Sequence, residues 1–219
     1  MSEKKKFAVV LAGCGVFDGA EIHEAIMTLY AIVLQGATYQ VFAPDIRQHH
    51  VINHITGEEM AESRNVLVES ARLARGKAKP LTDYNPKEFD ALVFPGGFGV
   101  AKNLCTFAFD GANCTVNDQV EKAIKETHRL KKPIGALCIA PVMLSKVLGQ
   151  VTVTIGHDGG TARAIESMGA KHQLANHGEV TIDKENLLFT APCYMLDSTI
   201  ADIANDAKAL VGAMVKYMG

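Results

Sequence analysis

The chain has 219 residues, a net charge of −2, 48% hydrophobic and 21% charged residues. That is enough to bury a substantial core in one domain and too apolar for a disordered chain. The near-neutral balance makes no electrostatic case for nucleic acid or for an anionic membrane as partner.

The opening "MSEKKKF" carries lysines but no long apolar run before the first strand, so neither a signal peptide nor a transmembrane segment is expected. Five cysteines, Cys14, Cys105, Cys114, Cys138 and Cys193, are scattered without CxxC spacing. An odd, unpatterned set fits a reducing compartment rather than a disulfide framework and gives no zinc signature. A cytoplasmic location is therefore expected.

Phe7–Leu11 is short and apolar and runs into glycine, as a fully buried strand does. Ala20–Gln35 places Ile22, Ile26, Leu29 and Val33 on one helical stripe, with Gly36 just past the end. Tyr39–Ala43 and Ala91–Phe94 are the second and third strands. Between them, residues 47–84 form an insertion with one helix over Ala61–Arg75. Val116–Lys131 is helical, Ile134–Leu137 a strand, Ala140–Leu148 a helix and Val151–Ile155 a fifth strand. Val180–Asp183 and Leu187–Thr190 form a hairpin around "KEN", and Leu196–Met218 is a core-packing helix. Strands alternating with helices predict a single α/β domain over residues 1–219, with a parallel sheet covered on both faces.

The strand–glycine–helix opening resembles a dinucleotide fingerprint, but Asp18 stands where the third glycine belongs, and Gly19 comes one position late. An aspartate there sets negative charge against phosphates, and no Lys-Ser or Lys-Thr pair makes a P-loop. His50 and His54 are four apart in a loop, which does not make a metal site. No cofactor and no metal are expected.

"KPIGALCIAPVML", Lys132 to Leu144, is more informative. A buried strand runs into Cys138, and Ala136 and Ala140 flank it at two positions on either side. Small neighbours at those positions let a nucleophile elbow turn sharply. A helix beginning beyond the cysteine favours thiolate, and the Ile139 N–H faces a developing oxyanion. A small buried hydrophobe would read equally well from this segment alone. In "FPGGFGVAKNL" a buried strand ends in Pro95-Gly96-Gly97, at the carboxyl edge of the sheet where open α/β sheets bind ligands. Gly96 and Gly97 are candidate partners of Ile139 in an oxyanion hole.

With these residues together, the chain resembles the ThiJ/PfpI superfamily, also described as class I glutamine-amidotransferase-like. The resemblance is close to its ElbB type, the "enhancing lycopene biosynthesis" proteins. It rests on "LAGCGVFDGAEIHEA", "INHITGE", "RNVLVESARLARG", "FPGGFGVAKNL", "CIAPVML", "TIGHD" and "FTAPCYML", and covers nearly the whole chain. The resemblance implies a flavodoxin-like three-layer sandwich with a mostly parallel sheet, a homodimer, a reactive cysteine at Cys138, and a glutamate of the first helix, Glu24, directed at it. It also implies a link to isoprenoid output and cofactor-free glyoxalase chemistry on small 2-oxoaldehydes such as glyoxal and methylglyoxal. The glycine-rich turn then delivers Glu24 rather than holding a pyrophosphate.

Many superfamily enzymes carry histidine directly after the cysteine, and this chain has Ile139. His157, at the end of the expected fifth strand, is the replacement candidate; His23 points about a quarter-turn from Glu24. Two other functions are compatible with the same residues. One is a cysteine redox sensor with little turnover. The other is an amidotransferase-like amidase using His177-Gly178-Glu179 as its histidine–acid pair.

Overall fold

The computed structural model describes residues 4–219, so the first three residues of the lysine-rich opening lie outside it. In chain order the elements are β1 (Lys6–Val10), α1 (Ile22–Leu34), β2 (Thr38–Ala43), α2 (Val66–Leu73), β3 (Ala78–Pro80), β4 (Ala91–Phe94), the short α3 (Phe107–Asp110), α4 (Asp118–Arg129), β5 (Ile134–Leu137), α5 (Pro141–Leu148), β6 (Thr152–Val153), α6 (Gly159–Ser167), β7 (Lys171–His172), β8 (Thr181–Asp183), β9 (Leu188–Ala191) and α7 (Ile200–Met218). The main sheet has seven strands in the order β3-β2-β1-β4-β5-β9-β8. All its pairings are parallel except β8 with β9, the hairpin at one edge.

Alternation along the buried strands makes the three layers. Phe7, Val9 and Leu11 face the side covered by α1 and α7, where Ile32, Leu210 and Met214 pack. Ala8, Val10 and Ala12 face the other side, with Ile124, Val142 and Leu144 from α4 and α5. Phe7, Phe42, Phe94 and Phe189 are among the largest fully buried side chains; each contributes about 1.5–3 kcal/mol of burial. Caps fix the helix starts: Asn117 accepts from Gln119 and Val120, and Thr199 with Asp202 closes a capping box at α7.

Three expectations are corrected. The fifth strand does not join the main sheet: β6 pairs only with β7 in a separate two-stranded sheet, and β9 takes the place beside β5. The hydrogen bonds β5 needs come from the later hairpin, a long-range pairing that a local pattern does not carry. The insertion adds a strand, β3, which extends the sheet beyond β2, and its helix is the shorter α2, capped by Asn65. The helix after Cys138 begins only at Pro141, a residue suited to a first helical turn, with a tight turn over residues 138–140 before it.

Candidate active site

β5 ends at Leu137, whose partner is Ala191 on β9. The next residue, Cys138, has φ +58°, a left-handed conformation rare for a side-chain-bearing residue, and its N–H donates to Ala191 O at 3.0 Å. This is the strained turn of an elbow, and it puts the thiol at the floor of a cavity of about 490 Å³ at the carboxyl edge of the sheet.

Glu24 is brought to the same point by α1. Its side chain is fully buried. The Gly96 N–H donates to Oε2 at 2.8 Å and the Tyr194 N–H reaches Oε1 at 3.4 Å, while the Cys138 thiol hydrogen-bonds the carboxyl. Burial, and then the neighbouring Glu21, push the Glu24 carboxyl up to about 8. Burial and the adjacent Glu24 also push the Cys138 thiol well up, against the N–H groups of Gly97 and Ile139, which point at its sulfur. The lowered thiol expected from a helix directly behind the cysteine is therefore corrected: desolvation and a carboxyl neighbour outweigh the N–H donors here.

Close approach makes the glycines necessary. A Cβ on Gly96 would sit 2.5 Å from Cys138 Cβ and 2.7 Å from Glu24 Oε2. Gly97 has φ +101°, and a Cβ there would lie 2.3 Å from the Glu21 nitrogen. Because the Gly96 N–H is spent on Glu24, the donors facing the thiol are those of Gly97 and Ile139, and Gly96 acts by seating the acid.

Glu21 caps α1, accepting the Glu24 N–H at 2.7 Å, and its side chain lines the cavity. His23 Nδ1 is 2.7 Å from the Tyr194 hydroxyl and 3.9 Å from Glu21. His157 is exposed and does not line the cavity; its neighbour Asp158 does, while capping α6. The segment after β6 reaches the cavity through Asp158 and Thr161, whereas His157 is exposed to solvent. The His177–Glu179 pair is not formed either. Glu179 accepts the Asn176 N–H at 2.7 Å, whereas His177 lies 3.0 Å from Asp206 and 3.1 Å from Ser198. Asp206, fully buried on α7, also accepts the N–H groups of Gly178 and Cys193, at 2.5 and 3.0 Å. It thereby fixes the turn at Cys193, φ +44°, that presents Tyr194 to Glu24.

The opening loop is internally bonded: Gly19 N–H to Gly15 O at 2.7 Å, Gly15 N–H to Ala20 O at 2.9 Å, Gly13 N–H to Ser70 Oγ at 2.9 Å. Asp18 is buried and accepts the Ile52 N–H at 2.7 Å, so it ties the loop to the insertion. Among the described residues no cluster of three His, Cys, Asp or Glu side chains is arranged for a metal ion, and no helix is long and apolar enough to cross a membrane.

A model of the DJ-1/PfpI family matches residues 14–191, most of the chain and all of the site up to Ala191. The chain belongs to the DJ-1/PfpI family. This DJ-1/PfpI protein is 46% identical over 224 residues to human glutamine amidotransferase-like class 1 domain-containing protein 3, mitochondrial, covering 98% of this chain and 84% of the relative. It is 47% identical over 223 residues to the mitochondrial ES1 protein homolog of Rattus norvegicus, covering 97% and 82%. Among solved structures it is similar to an isoprenoid biosynthesis protein with an amidotransferase-like domain from Ehrlichia chaffeensis: TM-score 0.90, 36% identity, 97% of this chain and 99% of that one. The cytoplasmic location expected from cysteine usage is overturned by these names, since the human and rat relatives are mitochondrial proteins. Cysteine spacing reports a reducing environment, and that property does not single out the cytoplasm.

Proposed function

We propose that the protein is a cofactor-free glyoxalase of the ElbB type, converting a 2-oxoaldehyde and water to a 2-hydroxy acid. The observation that carries the reading is one buried carboxyl, Glu24, hydrogen-bonded to an elbow thiol, Cys138, that two backbone N–H groups face. The Glu24 carboxylate takes the thiol proton as sulfur adds to the aldehyde carbon, and the Gly97 and Ile139 N–H groups hold the new oxyanion. Glu24 returns that proton to the oxyanion, giving a hemithioacetal. It then removes the C1 hydrogen as a proton, forming an enediolate, and returns that proton to C2 while the C1 hydroxyl proton passes to the C2 oxygen. The product is a thioester of Cys138 bearing a 2-hydroxyl. Water cleaves it to the acid and restores the thiol. The substrate is oxidised at C1 and reduced at C2, so the sum needs no external redox partner.

The cavity walls favour an uncharged substrate with an apolar substituent. Val16, Phe98, Ala101, Phe107, Ile139 and Met195 line it, its charged lining residues are Glu21 and Asp158, and neither a lysine nor an arginine is among them. The redox-sensor reading at Cys138 is weakened by the upward push on its thiol. The amidase reading lacks its imidazole at the thiol. The link to isoprenoid output stays with the resemblance to the Ehrlichia relative and the ElbB type. The expected homodimer belongs to the same proposal: Ile22, Ile26, Tyr30 and Val33 form an exposed apolar stripe along α1, suited to a second copy.

Proton NMR of methylglyoxal with the protein, without glutathione, tests the chemistry. Lactate appearing with the native protein and absent with Cys138→Ala is the expected result. Equal lactate with both proteins would refute the nucleophile's role, and none with either would refute the reading for this aldehyde.

A further inference from the structure

A pair of thiols lies next to the cavity and takes no part in the chemistry above. Cys105 and Cys114 are nine positions apart and both buried; the Cys105 Sγ donates to Val100 O at 3.3 Å, and each thiol perturbs the other. Cys105 follows the helical turn Val100–Leu104 and pairs with Val116 in an isolated antiparallel bridge. The Thr106 N–H donates to Thr115 O at 2.9 Å, and the Thr115 N–H to Thr106 Oγ1 at 3.0 Å. The two cysteines therefore stand at the neck of an excursion over residues 106–115, which holds α3 and the turn Gly111–Asn113. Phe107 and Ala108 of that excursion are part of the cavity wall. Neither α3 nor the turn contains a fully buried residue; the excursion is held by its neck, by Phe107 against the core and by Phe109 on the His49 ring.

We propose that Cys105 and Cys114 are a redox-active dithiol, oxidised by a hydroperoxide to a disulfide that pins the cavity wall carrying Phe107 and Ala108. Cys114 is the attacking thiol. The neighbouring Cys105 thiol and the Lys146 ammonium lower it, against burial and Asp110, whereas Cys105 is raised by Cys114 and by burial. Lys146 is anchored beside it, its Nζ donating to Ala112 O at 3.0 Å. Opening of the turn at residues 111–113, flanked by exposed Asn113 and Thr115, admits the oxidant.

The Cys114 sulfur attacks the peroxide and breaks the O–O bond. It becomes a sulfenic acid, and the other oxygen leaves as water or an alcohol. The Cys105 sulfur then attacks the Cys114 sulfur and displaces the hydroxyl as water. Two thiols give up two electrons and two protons, and the hydroperoxide is reduced. The neighbouring sulfurs must close to about 2 Å, a movement the neck of the excursion has to supply. The oxidation stands apart from the glyoxalase reading, because a disulfide forms or fails to form whatever Cys138 does.

The full chain is treated with stoichiometric hydrogen peroxide, its remaining thiols are alkylated, and it is digested with trypsin. Cleavage after Lys102 and Lys122 leaves both cysteines in one peptide, Asn103–Lys122. The expected result is that this peptide loses two hydrogens and takes up no alkyl group, with dithiothreitol restoring both thiols. Cys138→Ala behaves the same. Cys105→Ser forms no disulfide and accumulates oxygen on Cys114. Deuterium uptake over residues 106–113 slows roughly tenfold in the oxidised native chain and not in Cys105→Ser. Two alkylated cysteines in that peptide while Cys138 or Cys14 takes oxygen would overturn the dithiol. A disulfide that leaves deuterium uptake unchanged would overturn its hold on the cavity wall.

Discussion

Replacing Glu24 by glutamine separates the fold's interest from the chemistry's. Burial, and then Glu21, push the Glu24 carboxyl up to about 8 in the folded chain, from about 4.5 when it is free in the unfolded one. Between those values the folded state holds a proton that the unfolded state has released, so stability is full below about 4.5, falls as pH rises, and levels off above about 8. The total cost is about 5 kcal/mol at pH 9, at about 1.4 kcal/mol for each pH unit. Glutamine does not titrate and escapes this cost. It keeps an oxygen for the Gly96 N–H but turns an amide toward the Tyr194 N–H, a mismatch worth about 1–2 kcal/mol. Glu24→Gln is then slightly less stable than the native chain at pH 5 and about 3 kcal/mol more stable at pH 9, while 2-oxoaldehyde turnover falls by at least about a hundredfold. Urea unfolding of both proteins across this range reads the difference directly. Parallel stability curves from pH 5 to 9 would mean that Glu24 is ionised in the folded protein at neutral pH, and the proton-carrier reasoning would fall.

In the native protein kcat/KM is expected to climb about tenfold per pH unit toward 8 and level above it, since the carboxylate form takes the thiol proton; a profile flat from pH 5 contradicts this. Gly96→Ala drives a methyl into Cys138 and Glu24 and should lower stability by about 1–3 kcal/mol and turnover by about a hundredfold; calorimetry with rate measurement would expose native behaviour if the seat can relax. Ile26→Asp on the α1 stripe should shift the sedimentation of a dimer to that of a monomer without lowering the melting temperature of the subunit, and unchanged sedimentation would place the interface elsewhere.

Local signals in the sequence mark part of the fold. The buried strands Phe7–Val10, Ala91–Phe94 and Ile134–Leu137 announced themselves by apolar runs ending in glycine or small residues, and small neighbours at ±2 marked Cys138. Glu24 was legible only through family resemblance, because a glutamate in a first helical turn is ordinarily a dipole partner. What escaped was decided by pairing between distant segments. His157 is a candidate only if the next strand in the chain lies beside β5, a place β9 takes. Tyr194 had no periodic signature, since a turn with positive φ at Cys193 brings its N–H to Glu24. Asp206 reads as one polar residue on the last helix, and its burial appears only once α7 lies against the turn at Cys193.

That aspartate ties the site to the order in which the chain is made. Glu24, Gly96 and Cys138 have all left the ribosome well before residues 200–218 follow. Until α7 docks, the Cys193 turn has no acceptor for its N–H, Tyr194 is not held against the carboxyl, and the acid–thiol pair has no finished wall. A nascent or unfolded polypeptide thus carries its nucleophile without the means to use it, and reactive aldehydes meet a working site only after the final helix has locked.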